Sequence, residues 1–306
     1  MTYLPGVEEV EEAASWWPTR PAGRVGRAGN VVGRAGNAGV AGFARAAAGA
    51  GAAALLTHAV PSVATLRRLR TQLMPALAGI GAPDHVALTF DDGPDPASTP
   101  LFLDVLAELD LRATFFVLGT MLERAPHLAE RMVDAGHELA VHGWDHRPML
   151  LRGPRSTYRQ LYRTRELITT LTGRPPRFVR PPHGILSAGF LLAARRLELT
   201  PVLWTAWGRD WTSTATPLTV LDALTPDLRG GGTVLLHDSD CTSAPQAWHS
   251  ALGALPEFAA RCHDRGLRLG PLAEHGLRPG PLAEHGLRPP GPLATHGPRA
   301  SEAPAG

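Results

Sequence analysis

Val86-Ala87-Leu88-Thr89-Phe90-Asp91-Asp92-Gly93-Pro94 is an apolar run that ends in two adjacent acids and a Gly-Pro turn. A short apolar run closed by a turn reads as a buried strand, and in α/β enzymes the reactive groups collect where such strands end. Two neighbouring carboxylates at that point are expected to leave the strand in different directions. One carboxylate can then bind a metal while the other faces a substrate.

Outward from this run, apolar stretches alternate with amphipathic ones. Strands are predicted over 86–90, 113–117, 138–141, 178–180, 202–205, 233–236 and 267–269, with helices over 101–109, 128–135, 158–171, 190–197, 218–224 and 247–265. About seven β-α units argue for an α/β fold built on a parallel sheet. Each polar residue singled out below falls at or just after the C-terminal end of a predicted strand, as in a (β/α) barrel.

His142-Gly143-Trp144-Asp145-His146 places two imidazoles four residues apart. On one turn of helix that spacing puts both on the same face. With Asp92 they make a donor set of two histidines and one carboxylate. Three protein ligands with a position left for water describe a catalytic rather than a structural zinc centre, although cobalt, manganese or nickel suit the same donors.

Further on stand Arg180-Pro181-Pro182-His183-Gly184, Asp210-Trp211 and Leu235-Leu236-His237-Asp238. With the two blocks above, in this order, the chain resembles the NodB-like polysaccharide deacetylases, carbohydrate esterase family 4, from roughly Asp84 to Leu272. The resemblance implies a distorted (β/α)7 barrel that hydrolyses acetyl groups with a divalent metal, on an acetylated glycan such as peptidoglycan or a chitin-like polymer. It implies Asp91 as general base, Arg180 as the cation that holds it, His237 as the acid for the leaving nitrogen and Asp210 as the partner of His237. Asp92, His142 and His146 fall on the metal ligands. Trp211 and Leu235 fall on the acetyl pocket, and the backbone N–H of His183 on the oxyanion hole. An O-acetyl esterase, a small-amide hydrolase and a non-catalytic glycan-binding relative are the competing readings.

Three positions depart from the family pattern. Gly143 replaces a Ser or Thr, which predicts a looser surround for the histidine ligands. His183 replaces a Tyr, leaving a main-chain role untouched. Trp207 stands where an Asp is usual and offers an aromatic face to a sugar ring.

The catalytic domain is expected at 84–272. It is flanked by an Ala/Gly-rich region over 1–83 and a repetitive Pro/Gly-rich tail over 273–306 that reads as disordered. Residues 25–30 and 32–37 nearly repeat, and the ten residues 270–279 recur at 280–289 and in part from Gly291, bringing His275, His285 and His296 into a spaced series. Ala46 to Leu66 carries no charged residue save His58 and follows several arginines, the order of a signal peptide or weak membrane anchor, so a secreted or envelope-associated monomer is expected. A net charge of +2 without a basic stripe argues against nucleic acid, and Cys241 and Cys262 have no metal-ligand spacing.

Overall fold

A computed structural model describes residues 36–278. The acidic opening stretch, most of the N-terminal near-repeat, and the tail repeats with His285 and His296 lie outside the described residues. Eight strands form one parallel sheet: β1 His85–Asp91, β2 Thr114–Leu118, β3 Glu138–Gly143, β4 Phe178–Val179, β5 Thr200–Pro201, β6 Ala206–Trp207, β7 Thr233–His237 and β8 Arg268–Gly270. The order is β5-β4-β3-β2-β1-β7-β6, with β8 pairing the first residues of β1. Around it run α1 Gly36–Ala59, α2 Arg67–Leu73, α3 Thr99–Glu108, α4 Gly119–Arg124, α5 His127–Asp134, α6 Pro154–Thr172, α7 Ala188–Arg196, α8 Pro217–Leu224 and α9 Trp248–Asp264.

Every residue of β1 is buried, as a central parallel strand covered on both faces requires. Alternation along it sorts the core into two layers. Val86, Leu88 and Phe90 face the helices, where Phe90 packs on Phe102 and Phe115 with ring centroids 5.2 and 5.0 Å away. Ala87 instead joins Phe116, Ala140, Phe178, Val202 and Leu272 in a small inner cluster. This is the curled sheet of a distorted (β/α)7 barrel. The helix ends carry recognisable signals: Thr216 and Thr219 form a reciprocal capping box on α8, and Gly173 ends α6 at φ 69°.

The strand expected over 202–205 is two short pairings with a crossing between them. Val202 N bonds Val179 O on one edge of the sheet, and Thr205 N bonds Thr233 O on the other. One segment therefore spans the split of an open barrel, a role that apolar content alone does not distinguish from a strand.

The expected borders at 83/84 and 272/273 cut through packed structure. Upstream, Ala64, Arg70 and Ala78 are buried, and Leu77 O accepts from Leu203 N at the split. Downstream, His275 does not belong to a tail. It is fully buried, with its Nδ1 2.8 Å from His85 Nδ1 and its Nε2 3.1 Å from Gly79 O. Its ring therefore ties three segments together below β1.

Candidate active site

Strand ends deliver the side chains. Asp91 is the last residue of β1, and strand alternation alone would send Asp92 to the opposite face. Asp92 instead adopts φ 81°, rare for a residue with a Cβ, and the turn swings its carboxylate back into the same cleft. His142 Nε2 accordingly lies 3.7 Å from Asp91 Oδ2 and 3.4 Å from Asp92 Oδ1. The two carboxylates diverge less than expected from the sequence. The helical setting expected for the histidine pair is also corrected: His142 sits at the end of β3 and His146 in the loop after it.

One ligand atom from each of Asp92, His142 and His146 lies within 4.8 Å of the others. His142 Nδ1 is 2.9 Å from Arg180 O. A carbonyl only accepts, so Nδ1 carries the proton and Nε2 turns a lone pair to the cluster. His146 Nε2 is 3.3 Å from Asp92 Oδ1. Burial first, and then the neighbouring His142, push His146 down to about 3, so it is neutral and able to ligate. Burial alone would raise the Asp92 carboxyl, but its polar surroundings, the cationic His237 among them, outweigh it and hold the acid well below the usual range. Asp92 Oδ1 is buried and has no hydrogen-bond partner among the described residues. An orphaned anionic oxygen between two imidazole lone pairs is costly unless a cation meets it, so the donor set fits a divalent metal.

Asp92 Oδ2 is already taken. Thr242 Oγ1 donates to it at 2.5 Å, and Cys241 Sγ lies 3.5 Å from Asp92 O. The loop after β7 thus holds the strained aspartate from two sides. Asp238 fixes that loop to the one after β1: its carboxylate accepts from Gly93 N at 3.2 Å and Thr99 Oγ1 at 2.6 Å, and burial raises its pKa to about 7. Thr242→Val, nearly isosteric, should leave the fold intact yet weaken metal affinity by about 10–100-fold, with Thr242→Ser near wild type, as read by competition with a chromogenic chelator.

Arg180 is fully buried beneath Asp91. Its guanidinium donates to Asp91 Oδ1 at 2.6 Å, Thr89 Oγ1 at 2.9 Å, Val202 O at 3.1 Å and Leu203 O at 3.1 Å, and lies 3.9 Å over the Phe116 ring. Burial lowers the Arg180 pKa and Asp91 opposes that shift. The fan of bonds leaves Asp91 Oδ2 free to face the cleft.

Across the cleft, the Asp210 carboxylate grips His237 twice, accepting from its backbone N at 2.7 Å and lying 2.9 Å from its Nδ1. Burial alone would lower the His237 pKa, but Asp210 raises it to about 10. The imidazole is therefore cationic near neutrality, with Nε2–H left as a proton donor.

Asp91, His237 and the two metal-site histidines line a cavity of about 230 Å³, walled by Trp204, Trp207, Trp211 and Leu235. Trp207 stacks on Trp211 with centroids 4.3 Å apart at 18°, while 37% of its surface stays exposed. The His183 ring packs edge-on against His146 at 4.4 Å, and its backbone stands at φ 58°.

Gly143 does not leave the expected looseness. It stands at φ 111°, and a Cβ there would come 2.9 Å from Met149 Cε, so Met149 already occupies the space. His142 is steadied by Arg180 O instead. Gly143→Ser should cost about 1–3 kcal/mol and lower the melting temperature.

The structure brings together every residue expected at the site, and adds Thr242, Asp238, Thr89 and Trp204. Thr89 and Asp238 stood inside recognisable blocks. Thr242 lies in a polar run, Ser239 to Ser243, whose composition reads as an ordinary loop.

Residues 79–202 match the family described as Polysaccharide deacetylase. The chain is 36% identical over 205 residues to the chitooligosaccharide deacetylase of Sinorhizobium fredii, an alignment covering 65% of this chain and 94% of that protein. This chain belongs to the polysaccharide deacetylase family. It is also 33% identical over 160 residues to a peptidoglycan-N-acetylglucosamine deacetylase of Listeria monocytogenes, covering 52% of this chain and only 34% of that protein. Among solved structures, the Bc1960 peptidoglycan N-acetylglucosamine deacetylase is similar with a TM-score of 0.59 and 27% identity, covering 64% of this chain and 91% of that one. BA3943 of Bacillus anthracis, described as a family pseudoenzyme, reaches the same TM-score at 25% identity, covering 66% and 69%.

Proposed function

We propose that this polysaccharide deacetylase removes acetyl groups from N-acetylated sugars of a peptidoglycan or chitin-like polymer. The observation that supports this best is the pairing of an Arg-held carboxylate, Asp91, with a cationic imidazole, His237, across one cavity beside a three-donor metal cluster. A non-catalytic relative has no need of both a base and an acid.

Asp92, His142 and His146 would hold the ion, with zinc the best match to two imidazoles and one carboxylate. When bound, such an ion lowers the pKa of water to about 7 and polarises the acetyl oxygen. Asp91 Oδ2 takes the proton from the attacking water, and the bond from Arg180 to Asp91 Oδ1 keeps that carboxylate aimed. The His183 N–H stabilises charge on the acetyl oxygen. His237 Nε2 passes its proton to the departing nitrogen, after which Asp210 keeps the neutral ring in place. Trp211 and Leu235 receive the acetyl methyl, and the exposed face of Trp207 stacks on a sugar ring. All these groups come from one chain, so the reading needs no second subunit. The uncharged stretch from Ala46 to Leu66 supports a secreted or envelope location.

Acetate release from N-acetylglucosamine oligomers and from peptidoglycan tests the reading. Release with a matching new amine, abolished by chelator and restored by zinc, is expected. Acetate from O-acetylated glycan without an amine would assign an esterase instead, and zinc binding without any turnover would assign a binding protein.

A further inference from the structure

The N-terminal edge of the described chain presents an apolar surface that the barrel does not cover. Every residue from Ala48 to Thr57 in α1 is exposed, and none is charged. Leu55 is 71% and Leu56 67% exposed, and the exposure continues round the bend with Val60 at 63%, Val63 at 47% and Leu66 at 60%, and into α2 with Leu69 at 37% and Leu73 at 40%. An exposed apolar surface this continuous marks an interaction site rather than ordinary surface.

Its footing is firm. Ala64 and Arg70 are buried, and Arg70 donates to Ala64 O at 2.9 Å and to Trp204 O at 2.8 Å. His58 Nε2 lies 3.2 Å from Leu150 O. Among the described residues no single helix is long and apolar enough to cross a membrane, whereas the pair formed by Ala48–Thr65 and Arg67–Leu73 meets that test together, bent by 91°. A pair bent so sharply and pinned to the barrel at its elbow is shaped to lie along an interface.

Charge identifies the occupant. From Ala13 to Pro83 the sequence holds eight arginines and no acid, although the whole chain has a net charge of only +2. At the bend itself Arg68 stands exposed, while Arg67 pairs with Asp227 and donates to Thr205 O. Apolar side chains flanked by arginine are the pattern of a segment seated at an anionic lipid surface.

We propose that α1 and α2 seat this enzyme on the interface of an anionic membrane, with the leucines and valines at the acyl boundary and Arg68 on lipid phosphate. The inference deepens the envelope placement above and is independent of the catalytic reading. The test is co-sedimentation of the full chain with phosphatidylglycerol–phosphatidylcholine vesicles, beside soluble-oligomer turnover and gel filtration. The combined Leu55→Gln, Leu56→Gln, Val63→Gln and Leu66→Gln variant should bind about a hundredfold more weakly, and Arg68→Glu about tenfold, with turnover unchanged in both. Equal binding to phosphatidylcholine alone, vesicle binding indifferent to the variants, or a dimer that the Gln variant dissolves would each overturn the proposal. Loss of turnover on soluble oligomers in the wild type would instead sink the catalytic reading and leave this one standing.

Discussion

Asp91→Asn should lower acetate release by about 10³-fold or more while metal still binds at one equivalent, because it removes the proton acceptor and spares Asp92, His142 and His146. Two costs must be separated. Arg180 would lose its only anionic partner among the described residues, and breaking a buried ion pair from one side costs about 3–5 kcal/mol. The other partners of Arg180, Thr89 Oγ1, Val202 O, Leu203 O and the Phe116 ring, remain in place, which puts the loss at the low end of that range. A lowered melting temperature with a folded, metal-binding protein is therefore expected alongside the rate loss. Retention of more than about a tenth of the wild-type rate in that folded variant would remove Asp91 from the role of base, since a positioned base contributes about 10²–10⁴.

Arg180 also shows why parts of this site could be read from residues alone. The reacting groups occupy strand ends, and a strand end is written locally: Phe90 before Asp91, Leu236 before His237, Val179 before Arg180. The barrel is legible for the same reason, because strand and helix periods alternate along the chain. What joins one segment to another is not written locally. Thr242 reaches Asp92 across 150 positions and Asp238 reaches Gly93 across 145, and neither contact leaves a periodic trace. The segment 202–205 has the composition of a strand but spans a split, since its two amides find partners on opposite edges. His275 belongs by sequence to a repeat, yet its ring meets His85 and Gly79, contacts that the repeat does not announce. The fold of Asp92 onto the face of Asp91 depends on one positive φ, for which Gly93-Pro94 marks a turn but not its direction.

Asp210→Asn is expected to give the second large effect, and its signature is a displaced pH profile. In the folded enzyme the His237 pKa is raised to about 10, above its ordinary value of 6.5, chiefly because Asp210 opposes the effect of burial. A raised cationic group stabilises the fold fully below its unfolded pKa, and that contribution is lost as pH rises from 6.5 through about 10. The same window governs the protonated acid needed by the leaving amine, so wild-type activity should fall on the alkaline side. A bound divalent cation beside the ring opposes protonation and places that limb below about 10. An asparagine retains the shape of the contact but not the charge. Burial then acts on His237 unopposed by its main partner, and the ring is neutral at neutral pH. The variant should lose about 10²–10⁴ in rate at pH 7, with its alkaline limb moved several pH units toward acid and part of its activity regained at low pH. A uniform loss at every pH would show that Asp210 only orients the ring, because an orienting contact does not titrate.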